Sequence, residues 1–376
     1  MHGVLLLAAL KLTLRLELGP EYDSNANRAE IVQGAAVTDV PTGSFLLRST
    51  VRGSLAWRSG RNTLRAAALI GGKVFFNPDV QDQNMLVGQL GIEDRVRATS
   101  WLDLGLSGDY YDVAQQTVNT TCAVVSCDRH RDFRSGSAQA RVSFVDDPGE
   151  LTFTGGYRGF VWKPDPSFDF QAGQATVLAA VRLYAGSAER EHEIDLSASY
   201  HLERRLYTGL LEVNNCMPGM PLSDTCIGNG SRNRADWFHE GAVELTWVRV
   251  VLVSLAYAIQ LNQSNSFGQS LLRHLITLKL SARLPWELYL TLKGQLLVNR
   301  YLDPVLLDRE VSTQTFVSIE EENRNAFIVD LERPIGRSGL AVEARYSVYT
   351  NELGSTPASF QRHVGYLGLS YRVGTK

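Results

Sequence analysis

The chain has 376 residues, with 37 Lys and Arg against 40 Asp and Glu, and is 44% hydrophobic. Charge this close to neutral excludes the broad basic face that a nucleic-acid partner requires. No apolar run approaches the roughly 18 residues of a membrane helix, and clean three-to-four spacing is scarce, which excludes helical spans and bundles.

Residues 1–10 contain the brief apolar run Val4–Leu10 and read as a signal-peptide remnant that lacks a cationic start. Residues 11–376 read as a single domain. It opens with Lys11–Leu18, where Leu12, Leu14, Leu16 and Leu18 share one face and Lys11, Thr13, Arg15 and Glu17 the other. A period of two is a β-strand with one apolar and one polar surface.

The same alternation recurs down the chain. Phe45, Leu47, Val51, Leu55 and Trp57 alternate with Arg48, Arg52 and Arg58; Leu102, Leu104 and Leu106 alternate with Asp103 and Ser107. Ile194, Leu196, Ala198, Tyr200 and Leu202 form a third such face, and Val251 through Ile259 a fourth. Val342, Ala344, Tyr346 and Val348 precede a last face of Leu367, Leu369, Tyr371 and Val373. About sixteen strands are expected, an even count of roughly ten-residue segments that fits a transmembrane antiparallel up-and-down β-barrel. Their centres fall near Leu14, Val51, Ala68, Leu90, Leu104, Ala140, Gly155, Val177, Ala198, Val243, Leu255, Leu278, Leu292, Val329, Ala344 and Leu367.

The connections sort by length. Short ones include Ser59–Asn62, Asp146–Gly149, Val248–Val250, Pro285–Trp286 and Pro334–Arg337; long ones include Pro20–Ser44, Asp112–Phe133, Arg205–Asp236 and Leu302–Gln314. Short turns are expected on the periplasmic side and long loops outside. Trp57, Trp101, Trp247 and Trp286 fall beside short turns and Trp162 and Trp237 at the opposite strand ends, as two aromatic girdles would. Cys122 with Cys127, and Cys216 with Cys226, form two local pairs in polar segments without zinc or redox spacing, and are expected to be disulfides of an oxidising compartment. No cofactor or metal signature is present; the Asp and Asn spacing near residue 23 lacks the glycine and terminal glutamate of a calcium loop.

A barrel of this width encloses water unless loops plug it. Its polar faces offer Arg48, Arg52, Arg65, Lys73, Arg95, Arg97, Arg141, Arg158 and Arg182 early, then Glu193, Asp195, Glu203, Glu240 and Glu244. Either these charges pair across a solvated lumen, or an arginine wall faces an acidic wall and sets up a transverse field. Strand parity also places Glu21, Asp23, Asn25 and Asn27 towards the lumen at its outer mouth, where they either bind sugar hydroxyls or shape the loop through Asx-turns.

The segment Tyr22-Asp23-Ser24-Asn25-Ala26-Asn27-Arg28 resembles the first-strand exit of several outer-membrane barrel families, among them polysaccharide-export porins and the barrels of surface-lipoprotein assembly factors. The resemblance implies an outer-membrane conduit in a Gram-negative bilayer, passing a polysaccharide and working with a separate periplasmic export protein. A general diffusion porin and a lipoprotein-assembly barrel are the alternatives. No enzyme is expected: Ser199, His201 and Glu203 share a face, but period two alone accounts for that.

Overall fold

The computed structural model describes residues 9–29, 31–32, 40–115, 132–163, 165–185, 193–217, 226–303, 324–351, 353 and 358–374. Strand β1 (Ala9–Asp23) is followed by the two-residue β2 (Ile31–Val32), β3 (Ser44–Ser59), β4 (Asn62–Phe75), β5 (Met85–Arg97) and β6 (Leu102–Gln115). Next come β7 (Phe133–Asp146), β8 (Gly149–Trp162), β9 (Phe170–Ala185), β10 (Glu193–Asn214), β11 (Ile227–Val248) and β12 (Val251–Ser264). The chain finishes with β13 (Leu271–Leu284), β14 (Leu288–Tyr301), β15 (Asn325–Pro334), β16 (Leu340–Thr350), the short β17 (Ala358–Ser359) and β18 (Gln361–Gly374). All but β2 and β17 form one closed barrel, sixteen strands pairing in sequence order and β1 closing on β18. β2 and β17 pair separately.

Every ladder is antiparallel, so period two fixes the geometry. Leu12, Leu14, Leu16 and Leu18 are exposed on the outer wall with Val51, Leu104, Val243, Leu255, Leu278 and Leu369. Arg48, Lys73, Glu203 and Arg273 point inward and are buried. An exposed leucine belt around a closed hydrogen-bonded ring is stable in hydrocarbon: no backbone edge is left over, and the apolar side chains face lipid. The barrel is therefore a transmembrane one.

Each strand centre expected from the sequence lies within a barrel strand. Two boundaries and one girdle residue differ. Arg205–Asp236 is mostly not loop, because β10 and β11 each run 22 residues and pair as far as Asn214 and Ile227. Beyond the belt this hairpin packs on neighbouring loops instead of lipid, so no strict apolar alternation is imposed on it. Near its tip Cys216 and Cys226 are joined as a disulfide, with Cα atoms 4.9 Å apart. Cys122 and Cys127 lie outside the described residues. Likewise β1 continues through Pro20 to Asp23. Trp162 belongs to neither girdle: its parity on β8 is that of the lumen, and it sits edge-on to Phe168 at 4.6 Å against an inner apolar cluster. Trp57, Trp237 and Trp247 face outward, and Trp101 and Trp286 lie at turns, the latter almost fully exposed.

The closing seam has a construction of its own. The β1–β18 register is continuous across Leu18↔Leu369 and Glu21↔Tyr366, yet Gly19 and Pro20 make no ladder pair with β18. Proline has no N–H to give. Gly19 brings the backbones close, since a Cβ there would stand 2.3 Å from the Leu367 carbonyl oxygen. A Cβ at Gly368 would strike the Tyr366 ring. The tyrosine thus fills the hollow that the glycine leaves on the inner wall.

Gly19→Val should therefore disrupt closure, at a cost of about 1–3 kcal/mol from overpacking. The heat-modifiable folded band on an unboiled gel should disappear at a lower temperature than in the parent. Gly53→Val on the lipid face, where a Cβ meets nothing within 4 Å, should leave it unchanged. Equal behaviour of the two variants would contradict this account of the seam.

Candidate lumen site

Cross-strand pairing assigns every inward residue. On β3 and β4 the inner rows run Leu46, Arg48, Thr50, Arg52 and Phe75, Lys73, Gly71, Leu69 from the loop end towards the turn end. On β10 the row is Asp195, Ser197, Ser199, His201, Glu203, Arg205, Tyr207, rising towards the loop end. Burial changes along these rows. Arg52, Arg65, Arg182 and Lys279 near the turn end are exposed, whereas Arg48, Lys73, Arg205 and Arg273 nearer the loop end are not. The loop-end half is also capped by local structure. Ala26 and Val80, from the segments after β1 and β4, pack with Leu46 and Phe75.

Three charge networks line the wall. The first spans the seam. Glu21 accepts from Lys73 Nζ at 2.5 Å and lies 3.7 Å from Arg48, which is also 3.7 Å from Glu17. Arg15 reaches Glu17 at 2.8 Å, then Glu332 at 3.0 Å and Glu343 at 3.1 Å on β15 and β16. It thereby spans β18, where Arg372 is the ladder partner of Arg15 and Gly368 that of Glu343. Asp23 is closed in by Arg362, whose Nε donates to its two carboxylate oxygens at 2.9 and 3.0 Å.

The second network is aromatic as well as ionic. Phe133, Phe160, Phe170 and Tyr207 stack across β7 to β10 with centroids 5.4, 5.1 and 5.2 Å apart. The Arg205 guanidinium lies 4.2 Å from the Phe238 ring and donates to Glu203 at 2.6 Å. Arg158 reaches the same carboxylate at 3.2 Å. Arg234 stands 4.1 Å from the Tyr207 ring and donates to Asp236. Buried cations of this kind are held by carboxylate and ring faces together.

The third network lines an alcove of about 590 Å³ on the inner wall of β3 to β9. Arg141 donates to Glu150 at 2.8 Å and Glu93 at 3.4 Å, with Arg65 3.9 Å from Glu93. Asp109 lines it too, and Ser54, Ser107, Gln139, Thr152, Thr154 and Thr176 supply its uncharged polar groups. Below it Asp103 takes both Arg95 and Arg97, the latter at 3.2 Å.

The candidate residues thus sort by partner. Arg182 pairs with Glu193 at 2.8 Å and lies 3.7 Å from Asp195. Glu240 accepts from Gln260 at 2.6 Å, and Glu244 from Ser254 at 2.5 Å. Arg52 makes no ion pair among the described residues. In place of two opposed walls, arginines and acids pair along the wall, on one strand or one to three strands apart, the widest being Arg15 with Glu332. Near the mouth the loop-shaping alternative is realised. Asn25 N–H donates to Asp23 at 3.1 Å, and the Asn25 amide exchanges hydrogen bonds with Ala29 at 3.0 and 2.9 Å. Asn27 likewise ties Val40 and Thr42. His201 Nδ1 lies 2.8 Å from the Thr176 hydroxyl, and its Nε2 lies 3.6 Å from the Glu203 carboxylate.

Glu93, Glu150, Arg205, Asp236 and Arg362 escaped the sequence reading, which placed Arg15, Glu17 and Asp103 on polar strand faces without giving them partners. Parity would have found those lying on strands already recognised. The inner aromatic stack gave no such signal, because apolar residues at polar-face positions read as noise in the alternation.

No family model matches the chain, and no curated protein matches it. Among solved structures, OccAB1 of Acinetobacter baumannii superposes with a TM-score of 0.45 at 10% identity, each chain covered to 97%. OccAB3 of the same organism gives 0.44 at 11%, covering 98% of this chain and 99% of that one. A bacterial polysaccharide outer membrane secretin gives 0.40 at 9%, covering 97% and 98%. The barrel architecture rests on the chain's own strand pairing, and no role is carried over from these structures.

Arg205→Leu should cost about 3–5 kcal/mol by leaving the buried Glu203 short of its nearest cation. Glu203→Leu combined with Arg205→Leu should cost less than Arg205→Leu alone. Urea unfolding followed by tryptophan fluorescence measures both; an additive double variant would remove the coupling.

Proposed function

We propose that the barrel is an outer-membrane conduit for a polar, uncharged solute, and that the solute is a polysaccharide handed over by a separate periplasmic partner. The alcove carries the reading. Its charged residues are Arg65 and Arg141 against Glu93 and Asp109, a balanced set, and the remaining polar lining is hydroxyl and amide. Closely spaced donors and acceptors without net charge match the hydroxyls of a sugar, whereas a lumen built for ions presents one sign. The volume lies in the range of small-ligand sites. Burial of Arg48, Glu203, Arg205 and Arg273 in the loop-end half supports a gated or narrowed path over a wide general-diffusion bore.

The test is single-channel conductance in planar bilayers with neutral oligosaccharides added from the turn side. Transient block is expected. The variant Gln139→Leu/Thr154→Val/Thr176→Val should weaken it about tenfold or more, at roughly 1 kcal/mol per hydrogen bond lost. Leu14→Ala on the lipid face should leave block unchanged. Steady conductance indifferent to oligosaccharide would return the barrel to the general porin reading.

A further inference from the structure

A recurrent device on the outer wall plays no part in the lumen. Tyr200 and His239, Tyr257 and His274, and Tyr346 and His363 are outward-facing cross-strand pairs, each with hydroxyl and Nδ1 2.7 Å apart. Their geometry is the same. In each, the tyrosine is on a strand rising to the loop end, and the histidine is opposite the residue two positions beyond it: Leu202↔His239, Ile259↔His274 and Val348↔His363. With the hydroxyl donating, Nδ1 is the acceptor and Nε2 keeps the hydrogen.

In two of the three, an arginine stands one outward position nearer the loop end. Arg204 follows Leu202, and Arg300 follows Val298, the β14 partner of His274. The Arg204 guanidinium lies 4.8 Å over the Trp237 ring, and Trp237 neighbours His239 at 6.5 Å. On its other side Arg204 faces Gly173, where a Cβ would meet nothing within 4 Å. Neither Arg204 nor Arg300 makes an ion pair among the described residues, in contrast to Arg134, which holds Asp112 at 3.0 Å at the same end.

Height on the wall follows from β11 itself. Trp237 and Trp247 face outward ten residues apart. That is roughly 33 Å along a strand, or about 25 Å across the bilayer at ordinary barrel tilt, the thickness of the apolar band. Trp247 therefore marks the turn-side interface, and Trp237 with Arg204 the loop-side interface, at the depth of lipid headgroups.

We propose that Arg204 and Arg300, each above a tyrosine-fixed imidazole, bind the phosphate of a phosphorylated lipid in the loop-side leaflet. A guanidinium takes phosphate oxygens in pairs, and the open space at Gly173 admits the headgroup beside Arg204. The inference rests on the transmembrane barrel and is independent of what the lumen carries.

The experiment uses the folded barrel reconstituted in phosphatidylcholine vesicles doped with phosphatidic acid. Native mass spectrometry then measures the ratio of the two lipids retained on release. The parent should be enriched in phosphatidic acid. Arg204→Gln/Arg300→Gln should reduce the enrichment about tenfold, the equivalent of one charge-assisted contact of about 1.4 kcal/mol. Gly173→Leu, which fills the space without altering charge, should reduce it as well, and Arg134→Gln should not. All are compared on the heat-modifiable folded band. No enrichment in the parent, unchanged enrichment in the double variant, or an equal fall with Arg134→Gln would overturn the proposal. Oligosaccharide block measured on the same samples separates this outcome from failure of the conduit reading.

Discussion

Everything in this molecule depends on one constraint: inside hydrocarbon, each backbone N–H and C=O must find its partner within the protein. Sixteen antiparallel strands meet it only because β1 returns to β18. Until that ladder forms, two strand edges face lipid, each unsatisfied group costing several kcal/mol. The seam lacks ladder pairs at Gly19 and Pro20, and there the inner wall compensates. Arg15 reaches past β18 to Glu332 and Glu343, while Tyr366 fills the space above Gly368. Side-chain bonds thus span the stretch that backbone bonds leave open.

A closed ring forces a second consequence. Every second residue points inward, so the chain must decide what a wide polar interior contains. Here many charges pair within one or two strands: Arg158 with Glu203, Arg182 with Glu193, Arg141 with Glu150, and Lys73 with Glu21. Local pairing reduces the long-range field that a segregated arrangement would create, and hydroxyls and amides such as Ser107, Gln139 and Thr154 line the alcove between the paired charges. Towards the loop end the same inward rows turn apolar or buried, and the interior becomes a core containing Phe160, Phe170, Val87 and Val113. Access and packing therefore divide the barrel along its axis.

The fold was legible because lipid imposes a strict rule on alternate residues. Leu12 through Leu18 and Leu367 through Val373 announce both strand and face. Legibility ended where that rule lapses. The β10–β11 extension packs on neighbouring loops instead of lipid, with Thr208 N–H donating to Asp169 and Glu212 N–H to Ser266, so Glu212, Asn214, Asn229 and Asn233 resembled loop. Trp162 looked like a girdle residue from its place at a strand end, and only parity on β8 turns it inward. Lumen residues were legible as positions but not as partners. The sequence shows that Glu203 is inward, but its bond to Arg205 two residues on, and to Arg158 two strands away, depends on register and rotamer. The Asp23, Asn25 and Asn27 group illustrates the same limit: polar, inward and near the mouth, it is occupied by its own loop and by Arg362.

We propose that local ion pairs offset much of the lumen's charge and make it a path for an uncharged polar solute. The most direct measurement is the reversal potential of the reconstituted barrel across a salt gradient. The account predicts weak selectivity, with cation and anion permeabilities within about threefold of each other. A preference of about tenfold or more for either sign would show an uncompensated field in the lumen and contradict it.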